Sequence, residues 1–367
     1  MNKKTLFLTF APVIIGIIAG IGVLTLNPDT GKKIGNFLYS SSKDPQSYAY
    51  AVAKAAPSVV NIYVSTLNQN YSSQAKDPGT ITNSASGVIM REDGYIVTNY
   101  HVIPSSTEPN KAVWAQTRDG NVYQAFVVGY DRRTDIAVLK INASQLTPVP
   151  IDNDLEVNVG DVVLTIGNPN NLGQTVTHGI ISATARTGSG LLTRDQMNIR
   201  EGLQDLIQTD APINQGNSGG ALVNTNGTLI GINTASFNNY RYGTYGIGFA
   251  VPTKLAVLVM DEIIQHGRVI RGYLGISDDG TTILPNSNFV GVRVGFIDPL
   301  GPAADADIRI GDIIVKVNDA QITNLRSLID IISGTAPGTT LTFTLIRNNE
   351  TLSVPITLIE DRTDIID

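Results

Sequence analysis

The sequence predicts a mainly β protein with a small α+β module at its carboxyl end, and three features of the pattern support this class. Short runs of β-branched and other apolar residues, separated by Gly, Asn and Asp turns, fill residues 47–251. One long helical pattern follows at 253–266, and residues 272–367 return to strands and turns. This succession indicates an all-β barrel or sandwich followed by a separate module.

The first 27 residues predict a membrane anchor. After Lys3 and Lys4, residues 5–26 carry no charge and are mostly apolar, and about 20 such residues can cross a bilayer as a helix. The alternative is a cleaved secretory signal, whose apolar part is usually about 7–15 residues long and ends at a small-residue site. Residues 27–29 offer no such site. We therefore expect a cytoplasmic tip and a retained span, with the body outside the cytoplasm.

Small polar residues at 28–46 predict a linker between the anchor and the body. The body at 47–252 contains nine clear strand patterns, and a polar stretch at 68–83 predicts a surface loop. The nine patterns lie at 59–64, 87–90, 95–98, 125–128, 136–139, 162–166, 179–183, 221–223 and 229–233.

Apolar residues recur at helical spacing between Pro252 and Gly267, which predicts a helix closed by a left-handed glycine. We interpret residues 253–271 as a connector to a module at 272–367. Within that module the pattern predicts a helix near 324–333 and strands near 340–347 and 350–358.

Composition excludes several classes of function. The chain has no cysteine, so disulfides, zinc-thiolate sites and a cysteine nucleophile are excluded. The formal net charge of −6 argues against a nucleic-acid partner. Nothing in the sequence indicates a metal or a cofactor.

The most distinctive segment is residues 216–220, Gly-Asn-Ser-Gly-Gly. A serine between glycines can project its hydroxyl from a tight turn, as a nucleophile requires, and the backbone N–H groups of Gly216 and Ser218 can form an oxyanion hole. The alternative is an ordinary turn, because Gly, Asn and Ser are turn formers in any protein. The choice depends on whether the chain supplies a base and a carboxylate.

Only three histidines are present. His266 ends the connector helix, where a histidine interacts favourably with the helix dipole. The sequence around His178 offers no evident group to orient it as a base. His101 follows a strand, and Asp135 directly precedes an apolar strand, so His101, Asp135 and Ser218 occur in the chymotrypsin-type order. In this set Ser218 attacks, His101 transfers the proton and Asp135 orients the imidazole.

Asp131 is a rival for the carboxylate, four residues before Asp135. We prefer Asp135 because it adjoins the apolar strand, whereas residues 131–133, Asp-Arg-Arg, indicate a solvated turn.

Three blocks of the sequence resemble the signature blocks of the HtrA (Deg) family of serine proteases. They are residues 98–102, 134–140 and 216–222, and the resemblance runs from about residue 47 to the carboxyl terminus. It implies a trypsin-like protease domain of two six-stranded barrels with the triad between them, followed by one or two PDZ domains. Residues 233–236 would line the substrate cleft, and they are Asn233, Thr234, Ala235 and Ser236.

Within the family, the anchor, the rather short 68–83 loop and the room for one PDZ domain resemble the membrane-anchored stress-sensing branch. That resemblance implies a homotrimer in the bacterial inner membrane with its catalytic and PDZ domains in the periplasm. The PDZ domain would bind the carboxyl termini of unassembled outer-membrane porins. The protease would then cleave an RseA-like anti-sigma factor and start the sigma-E envelope stress response. The alternatives are a soluble quality-control protease and chaperone, or a scaffold that mainly captures peptides.

The resemblance also assigns binding and regulatory residues. The peptide carboxylate would be captured at Tyr273, Leu274, Gly275 and Ile276, where successive N–H groups and a strand edge are expected. Arg186 matches a sensor-loop arginine, and Gln208 matches a glutamine that supports the active arrangement. The sequence departs from the branch at Asn170, where a tyrosine is expected, and at Gln215, where a histidine can occur.

Overall fold

The computed structural model describes residues 47–66, 80–104, 110–168, 173–186, 206–214, 216–239, 244–283 and 290–362. The chain divides into two compact units, 1–50 and 51–367, and the first contributes only residues 47–50 to the described part. The predicted anchor and linker lie outside the described residues. Within the residues described, no helix is long and apolar enough to cross a membrane.

Six antiparallel strands form a first closed barrel, in the order β1-β2-β3-β6-β5-β4. A short helix, α1 (Ala49–Ala55), precedes them. Inward-facing branched side chains fill this barrel, among them Ile62, Ile96 and Leu139, all fully buried. The strands are β1 (Val59–Thr66), β2 (Thr80–Ile89), β3 (Tyr95–Asn99), β4 (Lys111–Gln116), β5 (Val122–Asp131) and β6 (Ile136–Ile141).

A second closed barrel repeats this design in the order β10-β11-β12-β9-β8-β7. Its interior is built around Val163, Ile181 and Leu222, which are fully buried. The strands are β7 (Val162–Gly167), β8 (Thr175–Arg186), β9 (Leu206–Thr209), β10 (Ala221–Asn224), β11 (Leu229–Asn239) and β12 (Thr244–Pro252). The structure therefore confirms the mainly β class and shows barrels rather than a sandwich.

In the two barrels all nine predicted strand patterns overlap strands, with the 87–90 pattern running one residue past β2, and the strands β4, β9 and β12 and the helix α1 were not predicted. The strand β9 has four residues, and β12 carries two glycines, so neither gives a strong local signal. The surface-loop prediction for 68–83 is wrong at its end, because residues 80–83 extend β2 and pair with β1. Residues 68–79 of that prediction lie outside the described residues.

The connector helix α2 spans Thr253–His266, as predicted, and ends at Gly267 with φ +76°. Its carboxyl end lies against β5 at very close range. A Cβ placed on Gly129 would be 2.4 Å from the carbonyl oxygen of Gly267 and 2.8 Å from the side chain of Ile263. Only glycine permits this approach, so the end of α2 is held on the first barrel.

The carboxyl-terminal module consists of a mainly antiparallel sheet in the order β14-β15-β16-β18-β19, with two helices. Phe343 is fully buried at its centre. Asn324 caps the second helix by accepting from Ser327 N at 2.9 Å. The helices are α3 (Pro302–Asp305) and α4 (Leu325–Ser333), and the strands are β13 (Gly272–Tyr273), β14 (Ile276–Ile283), β15 (Val290–Ile297), β16 (Ile313–Val317), β17 (Ala320–Gln321), β18 (Thr340–Arg347), β19 (Glu350–Thr357) and β20 (Ile359–Glu360).

Candidate active site and peptide groove

His101 lies in a single helical turn, Tyr100–Val102, at the end of β3. The turn is tied to the segment before β6 by two hydrogen bonds to one acceptor. The backbone N–H of Tyr100 and the Asn99 side-chain amide both donate to the carbonyl of Asp135, each at 3.0 Å. The first barrel thus brings together two segments 34 residues apart in sequence.

Asp135 stands in the left-handed region with φ +54°, a conformation that aspartate tolerates better than most residues. Its side chain is 5% exposed. One carboxylate oxygen accepts from the backbone N–H of His101 at 3.0 Å, and the other lies 2.8 Å from His101 Nδ1. The second oxygen also accepts from the hydroxyl of Thr234 at 2.5 Å.

The partnership with Asp135 controls the charge of His101. Burial by itself favours the neutral ring and lowers its pKa, but the hydrogen bond and the negative charge of Asp135 outweigh this effect. The pKa of His101 is therefore raised above its ordinary value. The same bond places the proton of the neutral ring on Nδ1 and leaves Nε2 as the acceptor.

Ser218 lies in the tight turn between β9 and β10, in the second barrel. The turn depends on Gly219, whose φ is +79° and whose missing Cβ would lie 2.2 Å from the carbonyl oxygen of Ser86. The Ser218 hydroxyl donates to the carbonyl of Thr234 at 3.2 Å. It makes no hydrogen bond to His101 among the described residues.

Two backbone N–H groups of this turn make no hydrogen bond within the described part of the protein. Within the described ranges, neither the N–H of Gly216 nor that of Ser218 donates to another protein group, whereas the intervening N–H of Asn217 donates to the carbonyl of Asn214 at 2.9 Å. Gly216 has φ +98°. This arrangement leaves two donors available beside the Ser218 hydroxyl.

The carboxyl-terminal module has a groove between α4 and β14. Leu274, Ile276, Leu328 and Ile332 are among the residues that line it, and its volume is about 500 Å³. Because β14 is the outer strand of its sheet, one edge of it is open to a further strand. The loop before β14 is braced by two bonds, since the Gly275 carbonyl accepts from Asp298 N at 2.8 Å and the Leu274 carbonyl from Ala303 N at 3.0 Å.

The chain matches known proteins in both parts of this architecture. Residues 85–232 match the family model of a trypsin-like peptidase domain, and residues 268–358 match that of a PDZ domain. The serine endoprotease DegS of Salmonella typhimurium is 41% identical over 363 residues, which cover 95% of this chain and 96% of DegS.

The chain belongs to the HtrA family of serine proteases. Among solved structures, a serine endoprotease from Yersinia pestis is 44% identical with a TM-score of 0.68, and the match covers 87% of this chain and 100% of that one. The HtrA-type protease AlgW with a tripeptide is 38% identical with a TM-score of 0.73, covering 86% of this chain and 97% of AlgW. The chain is therefore a serine endoprotease with trypsin-like and PDZ domains.

Other predicted site residues of this HtrA protease lie on strands of the second barrel. Asn233 and Thr234 are buried in β11, and the backbones of Ala235 and Ser236 pair with β12. Gln208 lies on β9 opposite Ala183, and Arg186 ends β8 opposite Leu206. Side chains of Ala235, Ser236 and Arg186 lie outside the described part, as do Asn170 and Gln215.

His178 lies on β8 opposite Leu164, and His266 ends α2, so both stand apart from the Asp135 carboxylate. Among the residues that the structure describes, no group of three or more histidine and acidic side chains could hold a metal ion.

The interpretation of Asp131 as part of a solvated turn is wrong. Asp131 is 4% exposed, and both of its carboxylate oxygens accept from the guanidinium of Arg271 at 2.7 Å. The backbone N–H of Thr134 donates to it at 3.2 Å. Despite its burial, these bonds and the positive charge of Arg271 lower the pKa of Asp131. Asp131 therefore joins the first barrel to the segment that leads into the PDZ domain.

Sequence reasoning missed two contributions to the site. Thr234 was predicted only as a cleft residue, yet it contacts both Asp135 and Ser218. Ser86 was not singled out, although its hydroxyl donates to the carbonyl of Gly216 at 2.7 Å. A Thr or a Ser in a strand gives no local signal of such a contact, because its partner is 99 or 130 residues away.

Proposed function

We propose that this chain is a membrane-anchored periplasmic endopeptidase that is switched on when its PDZ domain captures a peptide carboxyl terminus. The proposal for the chemistry rests on one observation. The Asp135 carboxylate binds the Nδ1 edge of His101 and the hydroxyl of Thr234, while the Thr234 carbonyl holds the Ser218 hydroxyl. This set gathers His101, Asp135 and Ser218 around Thr234 of β11, as a base, an orienting carboxylate and a nucleophile would require.

In the proposed mechanism His101 accepts the proton of Ser218 through Nε2 as the serine oxygen attacks the scissile carbonyl. The hydroxyl must first leave the Thr234 carbonyl, and hydrogen bonds in unliganded sites often form fully only with substrate. A substrate strand whose N–H donates to that same carbonyl would release the hydroxyl toward His101. Asp135 then stabilises the imidazolium, which returns its proton to the leaving amine.

The N–H groups of Gly216 and Ser218 are proposed to bind the oxyanion of the tetrahedral intermediate. Both are left without a protein acceptor among the described residues, as that role requires. Fixed donors of this kind stabilise the transition state more than the substrate, and loss of one typically lowers kcat by about 10²–10³.

The cleft favours a small aliphatic residue, such as valine, before the cleaved bond. Ser236 of the cleft strand pairs with Gly248 of β12. A Cβ on Gly248 would lie 2.8 Å from the side chain of Ile213, which is five residues before Ser218. The apolar side chain of Ile213 therefore occupies space beside the cleft strand, which leaves room for a small substrate side chain. Cleavage mapping of an unfolded substrate tests the preference, and predominant cuts after Lys or Arg would contradict it.

The PDZ groove is proposed to bind a peptide by its free carboxylate and by strand addition to β14. The carbonyls of Leu274 and Gly275 accept from the N–H groups of Ala303 and Asp298, in the segment after β15. Because the N–H of a trans peptide points opposite to its carbonyl, these bonds turn the N–H groups of Gly275 and Ile276 away from that segment, and successive N–H groups of this kind can hold a carboxylate. The apolar lining residues, such as Leu328 and Ile332, suit an apolar terminal side chain.

Regulation is proposed to pass from this groove to the triad through the ion pair of Asp131 and Arg271. Arg271 precedes the carboxylate-binding loop by two residues, and Asp131 precedes Asp135 by four. The pair is almost fully buried, so a shift of the loop would alter a strong contact next to the catalytic turn. Arg186 and Gln208 are the proposed sensor and supporting residues on β8 and β9.

The similarity to DegS over 95% of the chain supports the biological role. We propose a homotrimer held in the inner membrane by residues 1–27, with porin carboxyl termini as activators and an RseA-like anti-sigma factor as substrate. Intact-mass analysis of membrane-bound protein tests the anchor. Loss of these residues from the mature protein would favour the soluble quality-control protease instead.

The deciding experiment measures cleavage of the RseA periplasmic domain with and without a porin-type peptide. The same peptide with an amidated carboxyl terminus is the matched control, since it lacks the carboxylate. We expect activation by the free acid alone and no cleavage by Ser218→Ala. Equal rates under all three conditions would remove the regulatory proposal and leave the protease assignment in place.

A further inference from the structure

Ser86 of β2 joins four segments that meet at the nucleophile turn. Its N–H donates to the carbonyl of Ser218 at 2.9 Å, and its own carbonyl accepts from the hydroxyl of Thr98 at 2.7 Å. Its hydroxyl donates to the carbonyl of Gly216 at 2.7 Å and accepts from the N–H of Asn168 at 2.9 Å. Ser86 is fully buried, so no water competes for these four bonds.

The hydroxyl fixes one peptide unit of the turn. The peptide between Gly216 and Asn217 is bound at both ends, by Ser86 at its carbonyl and by the Asn214 carbonyl at its N–H. It can rotate only if both bonds break. Because Gly216 has no side chain and φ +98°, little else in the residue itself holds this conformation.

The peptides that follow are bound in the same way. The carbonyl of Asn217 accepts from Gly220 N at 2.9 Å, and the carbonyl of Ser218 accepts from Ser86 N. The N–H of Gly219 donates to Asn233 at 2.8 Å. The direction of the Ser218 N–H is therefore set by its bound neighbours, with Ser86 contributing on both sides.

We infer that Ser86 is a positioning residue for the oxyanion hole, acting through its hydroxyl on Gly216 and coupling that glycine to the backbone of Asn168 at the end of β7. The inference rests on the proposed role of the Gly216 and Ser218 N–H groups. Removal of the hydroxyl leaves the Gly216 carbonyl and the Asn168 N–H buried without that partner. The peptide is then free to turn, and the oxyanion donors lose their fixed direction.

The test compares Ser86→Ala with wild type in the full chain, using a fluorogenic peptide with valine before the cleaved bond. Because the hole acts on the transition state, we expect kcat to fall about 10- to 100-fold while KM changes less than about threefold. Affinity for a peptide boronic acid, which forms a tetrahedral adduct with the serine nucleophile, should fall by the same factor as kcat. Affinity for the product peptide should stay unchanged.

Ser84→Ala is the matched control, since Ser84 lies on the same strand and makes no hydrogen bond through its side chain among the described residues. Ser86→Cys nearly retains the volume and is a weak donor, so its kcat should lie between wild type and Ser86→Ala. If Ser86→Ala is too unstable to assay, the kcat and the boronate affinity of Ser86→Cys are compared with wild type instead. Wild-type kcat and boronate affinity in Ser86→Ala, or equal loss of boronate and product-peptide affinity, would overturn the inference.

Ser218→Ala separates this inference from the proposed mechanism. Its full activity would overturn the triad itself. An inactive Ser218→Ala beside a fully active Ser86→Ala would overturn only the role of Ser86.

Discussion

The catalytic cleft and the junction between the barrels and the PDZ domain each use a buried aspartate from the same short turn. Asp135 faces an imidazole, and Asp131, four residues earlier, faces a guanidinium. The imidazole can lose its charge near neutral pH, whereas the guanidinium cannot. One carboxylate therefore supports proton transfer, and the other holds two parts of the molecule together. The identity of the partner, more than burial, determines what each aspartate does.

The largest expected effect is on the cleft. Asp135→Asn should lower kcat by about 10⁴, because an amide favours the wrong tautomer of His101 and cannot stabilise its charge. Steady-state cleavage of a valine-containing peptide measures this. Asp131→Asn in the same assay should lower kcat far less, and equal losses in the two variants would break the comparison.

The next effect is on the junction. Asp131→Ala should lower the free energy of unfolding of the first barrel by about 3 kcal/mol, because it removes the Asp131 carboxylate from the largely buried Arg271 guanidinium. Trp114 is the single tryptophan and is buried in the first barrel, so its fluorescence in a urea titration reports this barrel. Asp93→Ala is the control, as the Asp93 side chain is 52% exposed. A loss no larger than that of the control would contradict a stabilising pair.

The catalytic imidazole of His101 and the junction carboxylate of Asp131 should also be distinguishable by pH. The raised pKa of His101 predicts that kcat/KM falls about tenfold per pH unit below a pKa higher than 6.5. The lowered pKa of Asp131 predicts that its stabilisation is present above the unfolded pKa and is lost only as the pH falls through the lower folded value. A pH series of activity and of urea midpoints measures both. A midpoint of the activity profile below pH 6.5 would contradict the raised pKa of His101.

Thr234→Val tests how the Thr234 hydroxyl affects the Asp135 carboxylate within the cleft. It removes the hydroxyl that shares the Asp135 carboxylate and retains the carbonyl that holds Ser218. We expect kcat/KM to fall about fivefold, as for the loss of one hydrogen bond. The Asp135 carboxylate becomes a stronger partner for the imidazolium and raises the pKa of His101 further. The acidic limb of the kcat/KM profile should therefore move to higher pH. A limb that moves to lower pH would argue against this contact.

The smallest expected effect is at the second ion pair of the junction, between Arg133 and Asp361. The Arg133 side chain is 30% exposed and that of Asp361 is 7% exposed, so solvent screens the pair from the arginine side. Arg133→Ala should change the free energy of unfolding by about 0.5 kcal/mol, within the same Trp114 assay. A loss as large as that of Asp131→Ala would show that both pairs carry the junction.

The sequence predicts the fold well where the signal is local. Alternating apolar runs predict nine strands, and the helix Thr253–His266 is predicted to the residue because its spacing, Pro252 and Gly267 all agree. Among the strands that were not predicted, β9 is short and β12 carries two glycines, so their pairing is decided by neighbouring strands and not by their own residues. The strand β4 was not predicted individually either, nor were β13 to β17 and β20 of the carboxyl-terminal module.

The candidate site could be predicted only in part, for a similar reason. The contact of His101 with Asp135 follows from the order and blocks of the sequence. The burial of Asp131 does not, because Arg271 lies 140 residues away and an Asp-Arg-Arg segment alone indicates solvent. The hydroxyl contacts of Thr234 and Ser86 likewise depend on how the two barrels meet.

The contact of Gly129 with Gly267 has a mechanical consequence. It fixes the last turn of α2 to β5, so any rotation of the PDZ domain relative to the barrels would take place after Gly267. Arg271 follows Gly267 by four residues, so the two lie at most about 14 Å apart along the chain. Asp131, at the other end of the ion pair, belongs to the same strand as Gly129. The packing contact and the ion pair thus lie on one strand, so under the proposed regulation a small rotation of the domain would act on the turn that carries Asp135.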